Sequence, residues 1–286
     1  MKQIILTAFI LASLTAQDDF VGETFDRGSI NYADRTIQAT GIGFIPVNVI
    51  NAGQARRSAM RIAKQDALRQ LIEIVNGVNV TSETTVSGAM FDDVIKTQVQ
   101  GAIRGARKVG EPKYLSDTSV EVVYEVSMNN ISRALLPMAE RAPVLSYESV
   151  TATGTAAATD AGQGGGAAAA PASGGVTGII IDGSGLGLRP AMSPRILNQS
   201  GTVLYGPGQY DRDYAAANGV VGYAKTLGQA KADTRVQGNP LVLRGASASG
   251  TAKTDVIISN ADAGKLVSAG RSAGLLQDCR IMFVLN

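Results

Sequence analysis

Apolar positions along the chain recur with two different periods, and the switches between them outline its elements. Residues 36–44 read as a first strand, in which Gly41 and Gly43 mark a bulge or the close approach of another element. From 52 to 75 the period lengthens: Ala55, Ala59, Ile62, Ala63, Ala67, Leu71, Ile74 and Val75 return at three- and four-residue steps, the spacing of one helix face. So many alanines on that face predict a helix lying close against a sheet. Asn76-Gly77 supplies its stop, with Gly77 suited to a left-handed position just past the end. Residues 78–86 predict a second strand, and 90–104 a second helix carrying Met90, Val94, Ile95, Val99 and Ile103. Two further strands, 106–115 and 119–128, flank the turn residues Ser116-Asp117. In the later one Val120, Val122, Tyr124, Val126 and Met128 alternate with Glu121, Glu125 and Ser127, so one face is buried and the other wet. A helix over 130–139 closes this half, with Asn129 or Asn130 as its cap and Pro137 near its end.

The pattern then lapses. Ala, Gly, Ser and Thr dominate residues 149–175, and Asp160 is the one charge there. A tract without large apolar groups cannot offset its ordering entropy, so it reads as a flexible Ala/Gly-rich linker. Beyond it, 178–182 is a short apolar strand running into Gly183-Ser184-Gly185-Leu186-Gly187. Residues 195–197 and 202–205 frame Asn198-Gln199-Ser200-Gly201, which has the composition of a hairpin turn. A strand over 255–258 leads to a helix begun by Ser259, with Asp262 in a capping-box-like place and Gly270 or Gly274 at the end. Residues 280–285 form the last strand. The expectation is an α+β protein of two small mixed α/β domains, 17–148 and 176–286.

The first sixteen residues stand apart from both. Lys2 gives a positive start, residues 4–14 an uncharged apolar run, and Ala16 a small residue before Gln17-Asp18-Asp19, the three parts of a secretory signal peptide over 1–16. The run is shorter than the roughly 20 residues of a membrane span, and it has no Cys beside it for lipid attachment. The chain is therefore expected to be exported to the periplasm and held there by protein contacts, near the outer membrane or peptidoglycan.

Composition narrows the chemistry. The net charge of +2 gives no electrostatic case for nucleic acid. There is no His and a single Cys, Cys279, which excludes Ser-His-Asp and Cys-His nucleophile systems and any His-containing metal site. Cys279, at the edge of an apolar strand, reads as a small buried hydrophobe. The expectation is no enzyme, no cofactor and no metal. The glycine run after residue 182 sits where a phosphate loop would, but it lacks Gly-Lys-Ser/Thr and is followed by Pro190 and Pro194, so a tight turn is the better reading. Asp182, Gly185, Gly187 and Arg189 are the candidate ligand or contact loop, with Asp182 and Arg189 placed to pair across the turn. Arg56, Arg57, Arg61 and Lys64 make the exposed side of the long helix a candidate basic contact face. Asp92-Asp93 are adjacent carboxylates that do not share a helix face, and solvation is expected for both.

The stretch 55–86, with its Ala-rich helix, Asp66-Ala67, Leu71, Glu73, Gly77-Val78 and a Thr/Ser-rich continuation, resembles the LPP20 lipoprotein family and the N-terminal domain of flagellar assembly protein T. With Gly41-Ile42-Gly43, Gly105-Ala106 and the alternating strand to Met128, the resemblance spans about 36–138. It implies an envelope protein, self-associating or docked to other flagellar ring proteins at the basal body. The alternative reading is a periplasmic binding module that takes a peptide, glycan or small anion through its C-terminal domain.

Overall fold

A computed structural model of the chain describes residues 21–45, 51–116, 119–140 and 175–285, apart from the side chains of 271–273. Residues 1–16, read above as a signal peptide, and nearly all of 149–175, read as a linker, lie outside the described residues. The protein is α+β, as its two hydrophobic periods predict, with two sheets.

In the first half β1 (Gly22–Phe25) and β2 (Gly28–Asn31) form a tight hairpin and β3 (Thr36–Phe44) follows. Next come α1 (Ala52–Gly77), α2 (Val86–Ala89), α3 (Asp93–Arg104), β4 (Arg107–Tyr114), β5 (Ser119–Ser127) and α4 (Met128–Ala139). The strands make an antiparallel five-stranded sheet in the order β1-β2-β3-β5-β4. Helix α1 lies directly on β3 and β5. A Cβ on Gly41 would run into the Ala63 carbonyl and the Ala67 amide, and one on Gly43 into the Ala59 carbonyl. The pairing of β3 with β5 runs unbroken from Thr36↔Ser127 to Phe44↔Ser119, so these glycines mark close packing and not a bulge. The alanine stripe is buried as its spacing predicts, but Ile62 is not.

Four expectations fail here, the first being the cap of α4: it is Ser127, whose hydroxyl accepts the Asn129 amide at 3.2 Å, and neither Asn129 nor Asn130. Gly77 is the last residue of α1 without being left-handed, and the helix ends because Val78 is extended and returns its amide to the Val75 carbonyl. Residues 78–86 form no strand. Only Asn79 and Thr85 bridge, and between them the Val80 and Thr81 amides both reach the Thr84 carbonyl. Val78, Val80 and Val86 are fully buried, so the alternation reports burial; their backbone is used in a tight loop instead of a ladder. The predicted helix 90–104 begins late, at Asp93. Asp92 accepts from the Val94 amide at 2.8 Å and caps it, and Val94 faces solvent.

The second half holds β6 (Ile179–Asp182), β7 (Ile196–Asn198), β8 (Val203–Tyr205), α5 (Arg212–Asn218), β9 (Gly222–Ala224) and α6 (Leu227–Ala232). It continues with β10 (Leu241–Ser249), β11 (Asp255–Ile258), α7 (Asn260–Ala273) and β12 (Ile281–Val284). They build a mixed seven-stranded sheet in the order β8-β7-β11-β10-β6-β12-β9, in which β6 runs parallel to both β10 and β12. Both faces of β6 and β12 are covered, which is why their sequences are unbroken apolar runs. The Asn198–Gly201 turn joins antiparallel β7 and β8, Ser259 caps α7 through the Asp262 amide, and Gly274, left-handed, ends it.

The halves do not sit apart. One apolar cluster runs from Ile30, Ile37, Val75 and Leu135 of the first to Ile181, Tyr205, Tyr223 and Phe283 of the second. Tyr32 meets Tyr223 edge-on, with ring centroids 5.8 Å apart.

Candidate functional site

At the end of β6 the chain reverses through Gly185 and Gly187, both left-handed at φ 79° and 62°. Asp182 Oδ1 accepts the Ser184 amide at 3.1 Å. Bonds from Ser184, with Arg244 nearby, hold the carboxyl below its ordinary value against the effect of partial burial. Leu188 is buried beneath the turn, and the Gly183 amide is bonded to Val284. Arg189 does not close on Asp182. It reaches Glu23 of β1 at 2.8 Å, and its amide donates to Lys253. The pair expected across the turn is thus absent, because Ser184 satisfies Asp182 locally and Arg189 ties the second half to the first. The binding-module reading relied on the charge now engaged by Glu23.

The basic face forms as the helical spacing places it, with Arg56, Arg57, Arg61 and Lys64 all exposed. Two of the four fold back onto the sheet. Arg56 lies over the Tyr114 ring and Lys64 over Tyr124, each 5.7 Å from the centroid, the geometry of a cation–π contact. Arg57 and Arg61 are left as the outward charges. Arg69, one turn further on, belongs to a different group: it pairs with Asp66 at 2.9 Å and Glu73 at 3.3 Å. Around the basic face stand exposed apolar side chains: Ile62 on α1, Phe44 at the end of β3, and Tyr114 and Leu115 at the end of β4.

A third locus, between the halves, escapes sequence reasoning. Arg195 donates from Nε to Asp255 Oδ2 at 2.8 Å and from Nη2 to Ser82 Oγ at 2.7 Å; its amide meets Asp255 Oδ1 at 2.9 Å. Ser82 completes the triangle by donating to Asp255 at 2.7 Å, and the Glu83 carboxylate stands 3.7 Å from the guanidinium. Asp255 and Ser82 are only 1% exposed, so this is a buried, hydrogen-bonded ion pair that locks the 78–86 loop to the head of β11. The Met192 and Ser193 amides add bonds to the Asn79 and Val80 carbonyls at 2.9 and 2.8 Å. The one sequence signal was a lone charge at the head of each of two apolar strands, Arg195 before Ile196 and Asp255 before Val256.

Cys279 is buried, and that burial pushes its thiol pKa up, away from reactivity. Among the described residues no three His, Cys, Asp or Glu stand together as a metal set. No described helix is long and apolar enough to cross a membrane.

Residues 178–286 match a family model described as the second domain of Treponema pallidum Tp0624. The matched stretch takes in the whole seven-stranded sheet and is under half of the chain. The first half, where the LPP20 resemblance lies, is outside it. No curated protein matches the chain.

Proposed function

We propose that this chain is a non-enzymatic protein of the bacterial envelope that self-associates, or docks with other ring proteins, in a flagellar basal-body ring. The observation that carries the proposal is the outer face of α1. Its first half has four exposed cations and no acidic residue, and exposed apolar side chains beside them. Charged side chains ringing apolar ones are suited to a contact that must be both steered and buried.

The second half is basic overall, but it has a local group of acidic side chains, with Arg212 among them engaged by Glu140. Asp211, Asp213 and Asp278 are exposed about the start of α5, where the Asp211 amide is bonded to the Gln277 carbonyl. A basic patch on one half and an acidic one on the other support a head-to-tail contact between copies, which closes into a ring when the rotation allows. The export signal read from residues 1–16 and the LPP20 resemblance support the envelope setting.

Sedimentation of the mature protein over a concentration and salt series tests self-association. The expected result is an oligomer that disperses in the Arg57→Glu/Arg61→Glu double variant while its thermal unfolding is unchanged. A strict monomer at every concentration overturns it. Imaging motors in cells lacking the gene tests the flagellar assignment, which unaltered rings and normal swimming would sink.

A further inference from the structure

Where the turn between β2 and β3 meets α5 and the approach to β12, a cavity of about 240 Å³ lies between the two halves. Three arginines, Arg35, Arg235 and Arg280, are among its lining residues, against one acidic residue, Asp233. Among the described residues none of the three is paired with a carboxylate; each is held by neutral oxygens. Arg235 donates to the carbonyls of Asn218, Gly219 and Cys279, the last two at 3.0 and 2.7 Å. Arg280 donates to the Thr177 carbonyl at 3.1 Å.

Arg35 is the most constrained of the three. It sits in the left-handed region at φ 55°, and its Nη2 donates to Ser132 Oγ and the Ala216 carbonyl at 3.1 and 3.2 Å. Its guanidinium lies against Gly219, where a Cβ would come within 3.3 Å of it. Its Nη1 is buried without a hydrogen-bond partner. Burial first, and the like charge of Arg235 second, push its pKa down to about 10. A cation that is desolvated, crowded by another and left with unused donors is in an unfavourable state unless an anion completes it.

We propose that this cavity binds a small phosphate-type oxyanion, either inorganic phosphate or a phosphomonoester. Guanidiniums arriving from both halves offer more N–H donors than one carboxylate can accept, while a tetrahedral oxyanion can meet donors from several directions. Tyr214, Asn218 and Thr234 add neutral polar groups to the wall. Because Arg35 belongs to the first half and Arg235 and Arg280 to the second, the bound anion bridges them and stabilises their docking by linkage. The site is separate from the α1 face and does not depend on ring assembly.

The test is titration of the full mature protein, at fixed ionic strength, with inorganic phosphate, glycerol phosphate and acetate, followed by calorimetry and thermal unfolding. Saturable binding of phosphate at one site per chain with a rise in Tm is expected; binding of the monoester alone assigns an organic phosphate. Arg280→Gln and Arg35→Gln should each lower the affinity about tenfold or more with unchanged circular dichroism, and Arg57→Gln should leave it intact. No saturable binding of either phosphate at millimolar concentration, or full affinity in both cavity variants, overturns the site. Saturation by acetate without phosphate overturns the phosphate assignment.

Discussion

Asp66 shows how one side chain on α1 serves the sheet as well as the helix. Its carboxylate accepts the Ile42 amide of β3 at 3.0 Å, pairs with Arg69 at 2.9 Å and takes a further charged bond from Arg27 at the β1–β2 turn. Burial alone would raise its pKa, but the bonds from Ile42, Arg69 and Arg27 outweigh that and hold it below the ordinary value. A carboxyl depressed on folding contributes stability that is fully present above its unfolded pKa, near 4, and is lost as pH falls through the folded value. Asp66→Asn should therefore destabilise by about 1–3 kcal/mol at neutral pH. It should also flatten the acid limb of stability below about pH 4. Urea unfolding across a pH series checks both. The periodicity of α1 showed where its helix lay, but not this role, because Ile42 and Arg27 reach Asp66 only through the fold.

At the scale of elements, the contact of α1 with β3 is set by two glycines facing alanines. Gly41→Ala would drive a methyl into the backbone of α1 at Ala63 and Ala67, where no side chain can move aside. The helix would have to lift from the sheet, a loss of about 1–3 kcal/mol or more, measurable by chemical denaturation. The same substitution at Gly101, which has open space around it, should cost nothing of that kind. This packing was legible because small residues on both partners are a compositional signal. The nine-residue β10 was not, because its alternation breaks at Gly245, where its pairing with β11 shifts register, and small residues follow; nor were the hairpin of β1 and β2 and the elements α2, α5, β9 and α6. The elements other than β10 run for seven residues or fewer, with too few apolar positions to establish a period, and they form only because larger elements give them an edge or a face to cover. The 78–86 loop misled for a related reason. Alternating valines report which side chains are buried, and a loop pressed between two halves buries them as well as a strand does.

For the molecule as a whole, the question is whether two sheets make two units. They share one apolar cluster, and the buried Arg195–Asp255–Ser82 triangle crosses between them. The expected result is a single calorimetric transition for the intact chain. Asp255→Ala would leave the Arg195 guanidinium buried without its partner, at a cost of about 3–5 kcal/mol, and should split that transition into two. Two independent transitions in the unaltered protein would show that the seam adds little to either half.

The sequence by itself determined the α+β class, the long alanine-faced helix and its basic outer side, the central strands β3 and β5 of the first sheet and β6 and β11 of the second, and the absence of histidine chemistry. These are properties of local period and composition, which need no partner to be read. Only the tertiary structure decided that Arg189 pairs with Glu23 and not Asp182, that Ser82 closes the Arg195–Asp255 pair, and that Arg35, Arg235 and Arg280 converge on one cavity. Each of those joins residues far apart in the chain, and a charge's partner is fixed by which surfaces the buried core brings together.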